Sequence, residues 1–501
     1  MTFRDAVESA DRSAGDVDTL DDLARAALEE GEEEAALQRL LPAAERSDHP
    51  LLWQWAGLLQ RSIDEHGAAI ESFAKAARIA PDDAGIAHGR ARVALEAGLD
   101  AVELFLKARA LAPDNGDIEL GLAAARNAAG EGELAVSELR AILERAPAWT
   151  SGYEQLAQLL SILGEKESAT DALEQAIAIF PEQEMLWSTL FEIDIKRADY
   201  EALERDVDRA QRTGIGSDSL APYHAIAAAE LNDEIFPDVL FKADGIADDL
   251  GIWRIRHLLR VGAAAEALPI IDEELASDRA WSIWPYAAIA WRLTNDQRWR
   301  SLEGDPRLVR VVDLARAIEP IDELRASLDR LHRSGGEYLD QSVRGGSQTD
   351  GPLLSRIDPV IRRLREAIVG AVETYIAELP PRDSGHPLLA PRRDRRIRFS
   401  GSWSVKLRAG GRHANHVHPQ GWISSALYIG LPPTMMGEPP NSGWLALGQP
   451  PEEFGIDLRP SLEIEPKVGQ LVLFPSWMWH GTIPFKEGER LTVAFDVRPP
   501  L

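Results

Sequence analysis

Histidine is scarce in this chain, 11 in 501 residues, yet His413, His416 and His418 fall within six positions in the run Gly-Arg-His-Ala-Asn-His-Val-His-Pro. His416 and His418 are two apart, so on an extended segment both side chains leave the same face. His480 follows the turn Phe474-Pro475-Ser476-Trp477-Met478-Trp479, and ten residues on, Arg490 opens the run Arg490-Leu491-Thr492. Two imidazoles from one segment and a third from a distant one can cover one face of a metal and leave further positions open. Open positions suit a metal that must bind a reacting cofactor and dioxygen. His413 could replace one of these imidazoles as a ligand, but its spacing from His416 is wrong for one strand face, so it is expected in a loop or facing substrate. Asn415 is open between a hydrogen bond behind the ligands and a turn.

Elements that could hold such a site are legible around it. From Ile397 onward the apolar period is 2. Runs at Ser402–Leu407, Ile423–Ile429, Trp444–Leu447, Ser461–Ile464, Gln470–Phe474 and Leu491–Val497 are short and bounded by Gly or Pro. Such strands predict a sandwich or small barrel whose mouth gathers strand-end side chains. Trp403, Trp422, Trp477 and Trp479 are expected mainly in its core, with a substrate platform as the other reading, and a helix is expected at about 358–379. The run Arg392-Arg393-Asp394-Arg395-Arg396-Ile397-Arg398 reads as a solvated edge, a site for an acidic substrate, or a dock onto acidic surface elsewhere in the chain.

The front of the chain is different. Pro50, Pro81, Pro113, Pro147 and Pro181 recur at intervals of 31, 32, 34 and 34 residues, each after a helical apolar pattern. Proline stops a helix because its ring clashes with the preceding turn and it has no amide hydrogen. Regular stops between helical stretches predict stacked helical hairpins. Tyr153, Leu156, Ala157, Leu160, Gly164, Ala169, Leu173 and Ala176 resemble the tetratricopeptide pattern position by position, and Leu122, Ala123, Gly130, Ala135 and Leu139 repeat it. From 185 to 330 the proline ladder fades but helical composition continues. Trp187, Trp253, Trp281, Trp284, Trp291 and Trp299 are expected to pack this stretch against the next domain, with a peptide groove as the other reading. The polar, glycine-rich segment Leu331–Ser355, with Gly335-Gly336 and Gly345-Gly346, marks the clearest boundary. The expected division is 1–184 repeats, 185–330 degenerate repeats and capping helices, and 331–501 a β domain with flanking helices.

Composition narrows the function. The net charge is −28; residues 331–501 carry 20 Lys+Arg and 18 Asp+Glu, leaving 34 and 64 in residues 1–330. So acidic a surface argues against nucleic acid or an anionic membrane as partner. Zero cysteines exclude disulfides, cysteine-ligated zinc, iron–sulfur clusters and thiol catalysis. No apolar run approaches the about 20 residues that span a bilayer. The start Met1-Thr2-Phe3-Arg4-Asp5 lacks the basic and apolar regions of a signal peptide, so the expected location is cytoplasmic.

Taken with its motifs, the tract 397–501 resembles the Fe(II)/2-oxoglutarate-dependent oxygenases, closest to a bacterial and phage branch with His-x-His-Pro and Phe-Pro-Ser-x-x-x-His-Gly. The resemblance implies a double-stranded β-helix (jelly roll) behind a tetratricopeptide solenoid. It implies His416, His418 and His480 as metal ligands and Arg490 as the partner of the 2-oxoglutarate carboxylate, with Thr492 and Tyr428 beside it. Ser347-Gln348-Thr349 resembles a polar motif of the same branch and is expected at the mouth. The departure is His418, which stands where the superfamily usually has Asp or Glu and leaves the ligand set one negative charge short. Fe(II), 2-oxoglutarate and O₂ are the implied cofactors and co-substrate. The implied reaction is hydroxylation of a protein or peptide bound by the repeats, as in the aspartyl/asparaginyl β-hydroxylases, which also join such repeats to an oxygenase. Two other readings stay open: a scaffold with an inert oxygenase fold, and a three-histidine metalloenzyme that does not use 2-oxoglutarate.

Overall fold

The structure, a computed structural model, describes residues 1–13, 16–231, 250–333, 336, 338–339, 341–433 and 438–500. Gly335 of the expected boundary lies outside the described residues.

Helical hairpins fill the front of the chain: Pro50–Ser62 with His66–Ile79, Ala84–Glu96 with Val102–Leu111, Gly116–Ala129 with Gly132–Arg145, and Thr150–Leu163 with Asp171–Ile179. Proline occupies the first turn of the helix that starts at Pro50, where its missing N–H costs nothing, and Gly130 and Gly164 end their helices in the left-handed conformation. Close packing repeats with the period. A Cβ at Gly89 would stand 2.4 Å from the Phe73 ring, and one at Gly121 would stand 2.2 Å from Phe105, 32 residues later in each case.

One buried acid sets a pH dependence in this array. Asp194, on helix Glu184–Lys196, is 1% exposed and its Oδ2 has no hydrogen-bond partner among the described residues. Burial, with the neighbouring carboxylate of Asp206, pushes it up to about 8. Its folded pKa therefore lies above the unfolded value. The stability it contributes is full below about pH 4 and is lost as pH rises through 8. Asp194→Asn should raise stability at pH 8 by about 1–3 kcal/mol, the scale of an unsatisfied buried polar group. The gain should vanish near pH 4, as denaturant unfolding at the two pH values would show.

The C-terminal region forms two antiparallel sheets. The larger has six strands in the order β1-β7-β4-β9-β3-β2: β1 Arg310–Asp313, β2 Val343–Gln348, β3 Phe399–His413, β4 Ile423–Gly430, β7 Gln470–Pro475 and β9 Arg490–Val497. The smaller has the order β6-β5-β8, from β5 Leu445–Leu447, β6 Leu462–Ile464 and β8 His480–Thr482. This is the two-sheet arrangement of a jelly roll. Helix Pro359–Glu378 closes the core with Ile361, Leu364, Ile368 and Val372, all buried at helical spacing.

Two strands add to the sequence reading. β2 contains Gly345-Gly346 and runs through the polar segment read as the boundary; β1 and helix Ile321–Leu331 pack with the β domain although they begin before that boundary. Both strands are sheet edges with little side-chain alternation, so their partners rather than their own pattern make them strands.

The basic run is a dock. Arg395 pairs with Glu32, Arg396 with Glu65, and Arg398 with Glu33 at 2.5 and 2.7 Å. The contacts continue along the array, one inter-helix turn after another. Phe399 N donates to Asp64 at 3.3 Å, Ile357 N to Ala97 O at 3.1 Å, Asn127 Nδ2 to Asp350 at 3.1 Å, and Gly336 N to Ile162 O at 2.8 Å. Successive turns thus rest on the β domain. At the far end Trp479 Nε1 donates to Pro285 O at 2.9 Å and its ring meets Tyr286 edge-on at 5.7 Å. Part of the acidic excess in residues 1–330 is met by the C-terminal arginines. No described helix is long and apolar enough to cross a membrane.

Candidate metal centre

Strand β3 ends at His413, and the chain then runs antiparallel to the start of β8. His416 and His480 exchange both backbone hydrogen bonds, N to O at 3.0 Å each way, and His418 N donates to Ser476 O at 3.0 Å. These ties bring the three rings together, with centroids 4.1 Å apart for His416–His480, 4.9 Å for His416–His418 and 5.2 Å for His418–His480. One nitrogen from each lies within 4.8 Å of the others, the one such group of three His, Asp or Glu among the described residues.

In each ring Nδ1 is already committed. That of His416 donates to Ala414 O at 2.8 Å and that of His480 to Met478 O at 2.9 Å, each carbonyl two residues back. His418 Nδ1 lies 3.0 Å from Asp496 Oδ2. A histidine whose Nδ1–H is held this way offers Nε2 as a neutral donor. Burial, helped by the neighbouring histidines, holds His416 and His480 well below the usual imidazole range, so both are deprotonated and available as donors. A borderline ion such as Fe(II) or Zn(II) suits three neutral nitrogens with open positions.

His413 stays outside the group of three. Ser342 Oγ lies 3.0 Å from His413 Nδ1 and 3.1 Å from His416 Nε2, and the two imidazoles stack at 5.7 Å. Asn415 Nδ2 donates to Pro450 O at 3.0 Å, fastening a turn. Of the four tryptophans, Trp422, Trp477 and Trp479 are buried core, whereas Trp403 stacks over His418 at 5.5 Å. In the polar run, Gln348 is in register with Val405 on the inner face; Ser347 bonds His332 on the outer face, and Thr349 Oγ1 accepts from Ser404 N.

A second feature lies beside the imidazoles. The registers Leu407↔Arg490, Val405↔Thr492 and Tyr428↔Thr492 put Arg490, Thr492 and Tyr428 on one inner face. Arg490 is 2% exposed, its Nη1 donates to Thr482 Oγ1 at 2.6 Å, and its guanidinium stands 5.0 Å over the Tyr428 ring. Thr482 is two residues after His480 on β8, so this bond ties the arginine to the strand that carries His480. Arg490 makes no ion pair among the described residues, its Nε has no hydrogen-bond partner among them, and the Tyr428 hydroxyl faces the guanidinium itself. Burial lowers its pKa, against the opposing influence of Tyr428. A buried cation without an anion is costly, and a carboxylate is the group that a guanidinium binds best with two parallel hydrogen bonds. Among the described residues Thr492 Oγ1 meets the Val405 carbonyl alone, at 3.5 Å; Thr482 makes the hydrogen bond to the arginine.

Sequence reasoning missed Asp496, Thr482 and Ser342. The first two had a signal: Asp496 shares strand parity with Arg490 and Thr492, and Thr482 shares it with His480. Ser342 had none, because it precedes β2 and reaches the imidazoles only through the fold.

Comparison with known families matches residues 401–496 to the model described as "Putative 2OG-Fe(II) oxygenase" and residues 51–83 and 150–183 to the tetratricopeptide repeat. No curated protein matches the chain. Similar solved structures include a prolyl-4-hydroxylase from Pseudomonas putida, 15% identical over 38% of this chain and 92% of its own, TM-score 0.25. HygX from Streptomyces hygroscopicus, with nickel and 2-oxoglutarate bound, is 12% identical over 38% of this chain and 83% of its own, TM-score 0.27. A tetratricopeptide repeat protein from Parabacteroides merdae is 15% identical over 45% and 90%, TM-score 0.32.

Proposed function

We propose that the chain, which matches tetratricopeptide repeats and the "Putative 2OG-Fe(II) oxygenase" model, is an Fe(II)- and 2-oxoglutarate-dependent hydroxylase acting on a polypeptide. The observation that carries this reading is the pairing of three Nε2-presenting histidines with a buried arginine that lacks an anion among the described residues. His416, His418 and His480 would hold the metal. Arg490 would hold the distal carboxylate of 2-oxoglutarate, with the Tyr428 hydroxyl as a second donor, and Thr492 beside them closes the wall. Bound together, metal and cofactor supply O₂ activation for hydroxylation, with succinate and CO₂ as co-products. The protein's part is to orient, through the Nδ1 bonds and the Thr482 contact, and to keep the pocket dry behind Phe474, whose ring lies 4.8 Å from His480.

The repeats support a polypeptide substrate, since such arrays present extended surfaces to peptides. With its turns engaged by the β domain, the array is held in one place relative to the imidazoles, which suits delivery of a bound chain. The test is anaerobic titration of metal-free protein with Fe(II) and then 2-oxoglutarate, followed by succinate release under O₂. A visible charge-transfer band and succinate formation are expected. Tight metal binding without a 2-oxoglutarate effect would instead indicate a three-histidine metalloenzyme of another kind, and no metal binding would indicate an inert scaffold.

A further inference from the structure

The ligand position occupied by His418 is where the charge of this site is in question, and Asp496 stands directly behind it. Asp496 Oδ2 is 3.0 Å from His418 Nδ1, with the carboxylate side chain 9% and the imidazole 20% exposed. Its other oxygen accepts from Ser424 Oγ at 2.5 Å, and Ser424 Oγ lies 3.0 Å from Ser476 Oγ. Ser476 O in turn receives the backbone N–H of His418. The cross-strand register Ser424↔Asp496 aims both side chains at this point, so the carboxylate is placed by two strands of the sheet. Above, Trp403 stacks on the same imidazole. Among the described residues, Asp496 forms no ion pair with any Lys or Arg; His418 is its one cationic or potentially cationic partner. A carboxylate this enclosed, unneutralised by arginine or lysine, is kept at a cost unless something across the imidazole repays it.

We infer that Asp496 is a positioning residue that supplies, one bond further out, the negative charge that an aspartate or glutamate at position 418 would supply directly. The inference rests on the proposed metal site. A carboxylate on Nδ1–H makes Nε2 a stronger donor and holds the ring in one orientation. His416 and His480 have only neutral carbonyls in that role, so His418 is the ligand singled out for charge. In this arrangement the metal would feel a net negative charge from the His418–Asp496 pair while every directly coordinating atom is nitrogen.

Charge and orientation can be separated by substitution. Asp496→Asn keeps an oxygen that accepts from His418 Nδ1 and removes the charge; Asp496→Ala removes both. On the full chain, Fe(II) affinity is measured anaerobically by chelator competition, and the charge-transfer band after adding 2-oxoglutarate is recorded. Asp496→Asn should weaken Fe(II) binding about 10- to 100-fold and move the band to higher energy, and Asp496→Ala should weaken it further. The double variant His418→Asp/Asp496→Asn, which moves the carboxylate into direct reach of the metal, should recover most of the lost affinity. A merely structural Asp496 would show no such recovery. Wild-type affinity and an unshifted band in Asp496→Asn would overturn the inference while leaving the metal site intact, and so would a double variant no better than Asp496→Asn. Failure of the wild-type chain to bind Fe(II) would remove the metal site itself and the inference with it.

Discussion

His480→Ala should take up no Fe(II) at concentrations that saturate the wild-type chain. The loss should exceed the about 100-fold at the upper end of what changes behind a ligand produce, because a coordinating atom itself disappears. Two imidazoles on one short segment remain, and the position brought by the distant strand β8 is empty of a donor. The substitution is local. The backbone bridge between residues 416 and 480 uses main-chain atoms, so the site keeps its frame, although the ring contacts at 4.1 Å to His416 and 4.8 Å to Phe474 are lost. Near-wild-type circular dichroism with no metal uptake is the expected pair of results. Metal binding of undiminished strength would show that the ion is held elsewhere.

Arg490→Ala should separate metal from cofactor. Fe(II) binding is expected to stay close to wild type, whereas 2-oxoglutarate should bind more weakly by about 2–5 kcal/mol, roughly 30- to 5,000-fold, the scale for losing one partner of a buried charge pair. Arg490→Lys should fall between the two, since an ammonium keeps the charge without the planar two-pronged geometry. The metal-free protein should tolerate the alanine. Arg490 has no acidic partner among the described residues to be stranded, whereas truncating Arg398 would leave Glu33, 2% exposed, without its cation. Isothermal titration with 2-oxoglutarate on the Fe(II)-loaded variants, with thermal unfolding of the metal-free forms, measures both. Unchanged 2-oxoglutarate affinity in Arg490→Ala would end the 2-oxoglutarate assignment and leave the metal centre standing.

Much of this architecture was legible in residues alone, and for reasons that are local. The proline interval and the small-residue pattern announce hairpins because each hairpin repeats the same contacts with its neighbour, as Phe73 on Gly89 and Phe105 on Gly121 do. Strands β3, β4, β7 and β9 alternate or are wholly apolar because they lie in a sheet with a buried face. His416, His418, His480 and Arg490 stood out because rare or charged residues beside apolar strands have few structural uses.

What the sequence by itself determined, then, is the repeat array, the core strands, and which side chains are the candidates for chemistry: all features carried by short-range pattern or by residue type. The tertiary structure alone decided the rest. Edge strands β1 and β2 exist because β7 and β3 offer them hydrogen bonds, and the arginine run became a dock because Glu32, Glu33 and Glu65 lie over 300 residues away in sequence and next to it in space. Asp496 came to stand behind His418, and Arg490 to stand without an anion among the described residues, through pairings between strands. A hydrogen bond or an unpaired charge is a property of two groups at a distance, and that distance is set by the fold.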